Sequence, residues 1–161
     1  MADYYSEFAE SYLVTPEQAK VAQGIFAAIN FVADNPDKEL PEEVDAVYRD
    51  LSEDLQESIH DYGVGFYLKI QEDDGKTYLT VMSDEGVAVE TVLYFLSDVL
   101  ETTDDHTIWT MTWSAGCTRP RSGEFGGGAA AISMTGVEMK HTWDVAEELV
   151  EKMRKAEEPI R

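Results

Sequence analysis

The sequence predicts an α+β fold in which a ββαββα core carries a four-stranded antiparallel sheet with helices on one face, preceded by two helices. Two observations predict this fold. Apolar residues alternate with a period of two in some segments, as in strands, and recur every three or four residues in others, as in helices. Segments 64–101 and 107–156 are each predicted as strand, strand, helix. The 161 residues suffice for a single domain, with a helical N-terminal part at 1–62 and the core at 63–161.

The first predicted helix begins after Thr15, with Pro16 at its first helical position. Gln18 follows the cap by three residues, as in a capping box. The helix runs to about Val32, and the Asn-Pro pair at 35–36 ends it.

A second helix is predicted from Pro41 to about Tyr62. Its apolar residues are spaced by three or four, which at 100° per residue places them within about 80° of arc. They are Val44, Tyr48, Leu51, Leu55, Ile59 and Tyr62. The opposite side carries Glu42, Glu43, Asp50, Glu53, Asp54, Glu57 and Asp61. Like charges at this spacing destabilise a helix. Two interpretations stay open: an ordinary solvated face, or a surface that is acidic because it binds a partner.

The pattern changes to a period of two after Gly65. Residues 66–71 and 78–82 are predicted as a β-hairpin with an Asp-Gly turn. A third helix is predicted from about Val87 to Glu101.

A second hairpin is predicted from strands 107–113 and 127–134, joined by a connection that is long for a hairpin loop. The last predicted helix runs from about Thr142 to Ala156. Five of its apolar residues are expected to face the core: Val145, Ala146, Leu149, Val150 and Met153.

Three tryptophans stand out in the second half of the chain. Trp109 and Trp113 are four residues apart in one predicted strand, so they share a face and are expected to pack under the helices. The alternative is a stacking surface that also includes Trp143.

The charge is strongly negative and unevenly distributed. The chain has 33 acidic and 12 basic residues, and its formal charge is −21. Residues 1–106 carry −20, whereas 107–135 carry +1. Binding to a phosphate backbone or an anionic membrane requires clustered Lys and Arg, so neither nucleic acid nor a membrane is an expected partner. A basic protein surface is expected instead.

Residue usage predicts a cytoplasmic protein without a cofactor or bound metal. The lone Cys117 excludes an internal disulfide and a cysteine-based zinc cage. The first residues lack the pattern of a signal peptide, and no apolar run is long enough to span a membrane. The acidic turns lack EF-hand spacing, and the three histidines are dispersed. No catalytic residue is assigned, and the chain is not expected to be an enzyme.

The most distinctive stretch is WSAGCTRPRSGEFGGGA at 113–129. It resembles a W-S-x-x-C-x-x-P-R-x-x-E-F-G-G-G-A signature of uncharacterised small acidic proteins of phages and bacterial mobile elements. The resemblance covers about Gly65 to Trp143. It implies no activity for any residue. It implies a genomic setting rich in inhibitors of host defence and, for a phage protein, the host cytoplasm.

Charge and resemblance together predict an acidic inhibitor of the DNA-mimic type. Its expected partner is the basic nucleic-acid-binding surface of a host defence enzyme, as for anti-restriction and anti-CRISPR proteins. The predicted contacts are Glu43, Asp50, Asp54, Glu57 and Asp61, with a second edge formed by Asp73, Asp74, Asp104 and Asp105.

Two alternatives use the nearly neutral segment. The 114–128 loop with Trp143 would bind a protein partner or form a homodimer. A small-ligand or nucleotide site would use Arg119, Arg121, Glu124, Phe125, Gly126, Gly127 and Gly128. The glycine pattern matches neither dinucleotide nor P-loop spacing, and glycines at a strand start also permit a bulge or a close backbone approach.

Overall fold

The computed structural model describes residues 4–86, 88–117 and 126–157. The elements in these ranges are, in chain order, β1 (Tyr4–Val14), α1 (Pro16–Asp34), α2 (Glu42–Tyr48), α3 (Glu53–Tyr62), β2 (Tyr67–Asp73), β3 (Lys76–Gly86), α4 (Glu90–Thr102), β4 (Trp109–Cys117), β5 (Gly126–Ser133), β6 (Gly136–His141) and α5 (Thr142–Glu157). The predicted α+β class is confirmed.

The strands form one antiparallel sheet in the order β2-β3-β1-β4-β5-β6. The prediction of four strands was therefore wrong. β1 inserts between the two predicted hairpins, and β6 extends the edge beyond β5. β1 pairs with β3 and β4, which lie far from it in sequence, so no hairpin turn next to β1 indicates this pairing. The description of 1–62 as helical was wrong for the same reason, since 4–14 form an inner strand.

Local signals placed α1 and the first hairpin correctly. Thr15 Oγ1 accepts a hydrogen bond from the Gln18 backbone N–H, and Gln18 Oε1 accepts one from the Thr15 N–H, both at 3.1 Å. This is the predicted capping box. In the β2–β3 turn, Asp74 and Gly75 have φ of 52° and 76°, the positive values that an Asp-Gly hairpin turn requires.

The predicted helix over 41–62 is two helices, because the chain turns between α2 and α3. Ser52 caps α3 by accepting a hydrogen bond from the Leu55 N–H at 3.2 Å. Asp98 of α4 accepts from both the N–H and the hydroxyl of Ser52, at 3.0 and 3.1 Å. A tertiary contact therefore sets the break. Leu51, Leu55 and Ile59 are buried as predicted, whereas Tyr62 is exposed.

The core lies between one face of the sheet and the helices α1 and α4, with α3 packed beside α4. Trp109 and Trp113 are buried there, as predicted, and the Tyr12 ring stacks on Trp109 with centroids 4.6 Å apart. α5 does not join this layer. The prediction that Val145, Ala146, Leu149, Val150 and Met153 face the core was wrong, because all five are exposed.

Candidate functional site

Five predicted contact residues are exposed on α2, α3 and the turn between them. We call this the acidic face: Glu43, Asp50, Asp54, Glu57 and Asp61, all exposed. Its orientation follows from packing. Burial of Leu55 and Ile59 turns the opposite side of α3 towards solvent.

Carboxylates of α4 extend the acidic face. Burial raises the pKa of Tyr94, and the negative charges of Asp54, Glu90 and Glu57 raise it further. Carboxylates from two helices therefore lie near one phenol. Sequence periodicity within single helices did not reveal this convergence, because it depends on how α3 lies against α4.

Bases near the acidic face are few. Arg49 approaches Asp45 at 3.9 Å, and His60 Nδ1 lies 3.1 Å from Asp61. In the part of the chain that the structure describes, no ion pair involves Asp50, Asp54 or Glu57. The field over α3 is therefore negative, and such a field attracts a cationic surface.

Asp98 of α4 has a structural role beside α3. Its side chain is buried and accepts the two Ser52 hydrogen bonds that join α3 to α4. Burial raises its pKa, the hydrogen bonds from Ser52 oppose that shift, and Glu101 and Asp54 add to it.

The predicted second edge is partly occupied by internal contacts. Asp73 and Asp74 are exposed at the β2–β3 turn, and Asp104 is exposed after α4. Asp105 differs, because its carboxylate accepts hydrogen bonds from the Thr107 N–H at 2.9 Å and from Gln18 Nε2 at 2.7 Å. Hydrogen bonds from Thr107 lower its pKa. We therefore assign Asp105 to holding the α4–β4 connection against α1.

The glycines of the alternative site have a packing explanation. Gly126, Gly127 and Gly128 begin β5, and a Cβ on Gly127 would overlap the Trp113 carbonyl oxygen. A Cβ on Gly128 would overlap the Trp113 ring. Close approach of β4 and its tryptophan therefore requires glycine at 127 and 128.

The rest of the neutral segment is described only in part. Residues 114–117 and 126–128 of the predicted loop belong to strands β4 and β5. Arg119, Arg121, Glu124 and Phe125 lie outside the described residues, so the nucleotide site stays a prediction. Trp143 is exposed, and its ring stacks on His141 with centroids 4.1 Å apart.

Two further observations bear on cofactors and membranes. Among the described residues, no three or more His, Cys, Asp or Glu side chains are grouped so as to hold a metal ion. None of the described helices has the length and apolar character needed to cross a membrane.

Comparisons with known proteins found no matching family model, no matching curated protein and no matching solved structure. The function is therefore argued from the surfaces themselves.

Proposed function

We propose that this protein binds a basic protein surface that otherwise holds nucleic acid, and inhibits its partner by occupying that surface. The observation that supports the proposal is the acidic face, in which Asp54, Glu57 and Asp61 lie on one side of α3 and few bases lie nearby. Association driven by such a field is expected to be fast and to weaken as salt increases.

The spacing of the charges on α3 supports mimicry of a nucleic-acid strand. Glu53, Asp54, Glu57 and Asp61 fall within about 100° of arc at 100° per residue. At 1.5 Å per residue they extend over about 12 Å, a mean axial spacing of about 4 Å. Phosphates along one strand of duplex DNA advance by about 3.4 Å each.

The concentration of charge is local. The accessible surface is 10593 Å², so −21 corresponds to about one net charge per 500 Å² if it were spread evenly. A duplex about 20 Å wide presents about one phosphate per 100 Å². The acidic face contains five exposed carboxylates on α2, α3 and the turn between them, so we propose that the partner binds there.

For the partner we propose the class that the sequence predicts, a restriction or CRISPR nuclease of the host. Enzymes of the CRISPR class hold nucleic acid in positively charged channels. A folded acidic helix that enters such a channel would exclude the substrate without being cleaved, since it has no phosphodiester bond.

The test compares two variants of equal charge. The face variant carries Glu43→Gln, Asp50→Asn, Asp54→Asn, Glu57→Gln and Asp61→Asn. The matched control neutralises five exposed acids elsewhere: Glu7→Gln, Glu17→Gln, Asp37→Asn, Glu72→Gln and Glu138→Gln. The measurement is DNA cleavage by purified restriction and CRISPR nucleases as each protein is titrated in, at two salt concentrations.

We expect the wild type and the control to inhibit similarly, and the face variant to be at least 10-fold weaker. Inhibition should fall with added salt and with added competitor DNA. Equal potency of the face variant and the control would reject the acidic face as the binding surface. A wild type that neither inhibits these nucleases nor competes with DNA for them would reject the proposed function.

A further inference from the structure

The apolar side of α5 is not covered by the part of the chain that the structure describes. We call it the α5 stripe: Trp143, Val145, Leu149, Val150 and Met153, each between 43% and 63% exposed. Every residue from Val145 to Glu157 is exposed. The charged residues from Asp144 to Lys155 lie outside the arc of the stripe, which recurs at helical spacing.

α5 is attached to the body through its first two turns. Thr142 Oγ1 donates a hydrogen bond to the Gly127 carbonyl at 3.0 Å, and Asp144 accepts from the His141 N–H at 3.0 Å. Lys140 of β6 contacts Glu148 at 2.7 Å. This ion pair directs the charged side of α5 towards β6 and leaves the stripe facing solvent.

A helix with this exposure needs a partner for its stability. α5 has 16 residues and buries none of them in the chain. Isolated helices shorter than about 12–15 residues are marginal in water, and α5 is only slightly longer than that limit. Packing of an apolar face supplies most helical stability in proteins. A second surface that covers the stripe would supply this packing.

The exposed area matches one half of a dimer interface. The five side chains expose on the order of 500 Å², since a free aromatic side chain presents about 150–250 Å² and an aliphatic one somewhat less. A standard interface covers about 800 Å² on each partner, and in homodimers about 65% of it is apolar. The stripe thus supplies the apolar area that one partner requires.

Charge favours a second copy over a basic partner at this surface. Described residues 126–157 carry a net charge of −2 in a chain of −21. Two copies repel each other less where their net charge is small, so the region around α5 opposes self-association less than residues 1–106, which carry −20.

The order of charges along α5 allows two copies of the helix to pair when they run antiparallel. The first half of the helix carries three acids and no base (Asp144, Glu147, Glu148), whereas the second half carries three bases (Lys152, Arg154, Lys155) and two acids (Glu151, Glu157), a net charge of +1. Arg154 also lies 4.0 Å from Glu151 of the same helix. Glu147 and Arg154 are seven residues apart, two turns of helix, so they lie on the same edge of the stripe. In an antiparallel pair related by a two-fold axis, each edge of one helix faces the same edge of the other, as in an isologous interface.

We propose that the protein is a homodimer in which α5 of one copy packs antiparallel on α5 of the second. The two α5 stripes form the apolar centre, and Glu147 of each copy pairs with Arg154 of the other. The proposal does not depend on the acidic face or on the identity of any inhibited enzyme.

The first test is sedimentation equilibrium of the full chain between about 1 and 100 µM. We expect a mass twice the 18.0 kDa of the chain. The double variant Leu149→Glu/Met153→Glu is expected to sediment as a folded monomer, with dissociation at least 100-fold more favourable. The control Leu13→Glu/Ile108→Glu adds the same charge at exposed apolar residues away from α5, and should remain dimeric.

The second test examines the antiparallel arrangement. Glu147→Lys and Arg154→Glu should each weaken the dimer about 10-fold, and the double variant should return to within about 3-fold of wild type. A wild type that is monomeric at 100 µM would overturn the proposal. So would a dimer that persists in Leu149→Glu/Met153→Glu, while failure of the double variant to recover would overturn the antiparallel pairing.

Discussion

Helices α3 and α5 have the same kind of sequence pattern and opposite environments. Each has an apolar side and a charged side. Leu55 and Ile59 of α3 are buried in the core, whereas Leu149 and Met153 of α5 are about 60% exposed. Sequence periodicity therefore identifies the apolar face of a helix but not the surface that covers that face. The two helices differ in what holds them to the rest of the chain. The hydrogen bond between Ser52 and Asp98 holds α3 against α4, whereas α5 follows directly after β6, a strand at the edge of the sheet.

The charged sides of the two helices differ as well. Carboxylates dominate α3, whereas α5 carries only acids among the charged residues of its first half and a mixture of three bases and two acids in its second. A uniform negative surface suits a basic partner, and a mixed surface of low net charge suits a second copy of itself. The two proposals therefore use separate parts of the molecule, and each can fail without the other.

Truncation of one leucine in each helix should give the largest contrast. Leu55→Ala removes a fully buried side chain and is expected to lower the free energy of unfolding by about 2–5 kcal/mol. Leu149→Ala should change that of the dissociated monomer by less than about 0.5 kcal/mol. Urea unfolding of the two variants at low protein concentration measures both. Equal losses would show that the α5 stripe packs within the chain.

Glycine substitution tests the attachment of the α5 region to the sheet. Gly128→Ala should cost about 1–3 kcal/mol of unfolding free energy, because the added methyl overlaps the Trp113 ring and the Lys140 carbonyl. Gly24→Ala is the control, since a Cβ there meets nothing within 4 Å and α1 should gain about 1 kcal/mol. Chemical denaturation measures both changes in unfolding free energy, which should decrease in Gly128→Ala and increase in Gly24→Ala. A neutral Gly128→Ala would contradict the close packing of Trp113.

The buried carboxyl that holds α3 should make stability depend on pH. Burial raises the pKa of Asp98 in the folded state, so the folded protein retains this proton at pH values where the unfolded chain has lost it. The contribution of Asp98 to stability is therefore full below its ordinary pKa and is lost as pH rises through the raised value. Asp98→Asn removes this titration.

The unfolding free energy of Asp98→Asn relative to wild type should increase between pH 4 and pH 7. Denaturation of the pair at several pH values measures the difference, in which the remaining carboxylates cancel. A difference independent of pH would show that Asp98 titrates normally in the folded protein.

The smallest predicted effect on stability comes from substitution of two surface glutamates, for which we expect changes of opposite sign. Glu57 has like charges four residues away on both sides, Glu53 and Asp61, so Glu57→Gln should stabilise the chain by about 0.2–0.5 kcal/mol for each relieved pair. Glu148→Gln should instead destabilise α5, because it removes the negative charge that pairs with Lys140. Both effects should shrink in high salt. Thermal unfolding at low and high salt measures both changes in stability. A change of the same sign for both variants would contradict the charged surroundings that we assign to Glu57 and Glu148.

Prediction from sequence succeeded where the causes were local. The capping box of α1, the Asp74-Gly75 turn and the exposure of Asp54 and Glu57 each depend on residues close in sequence. It failed for β1, whose pairing partners lie about 60 to 110 residues away. It failed again at residues 49–52, where the break between α2 and α3 depends on Asp98 of another helix.

By itself, the sequence determined the α+β class, the positions of most helices and hairpins, and the separation of an acidic half from a nearly neutral one. Hydrophobic periodicity, capping and charge are properties of neighbouring residues, so they can be recognised before folding. Only the tertiary structure decided that β1 lies inside the sheet, that carboxylates of α3 and α4 converge around Tyr94, and that the α5 stripe stays exposed. These features depend on which distant segments pack together, and burial energy, summed over the whole chain, selects that arrangement.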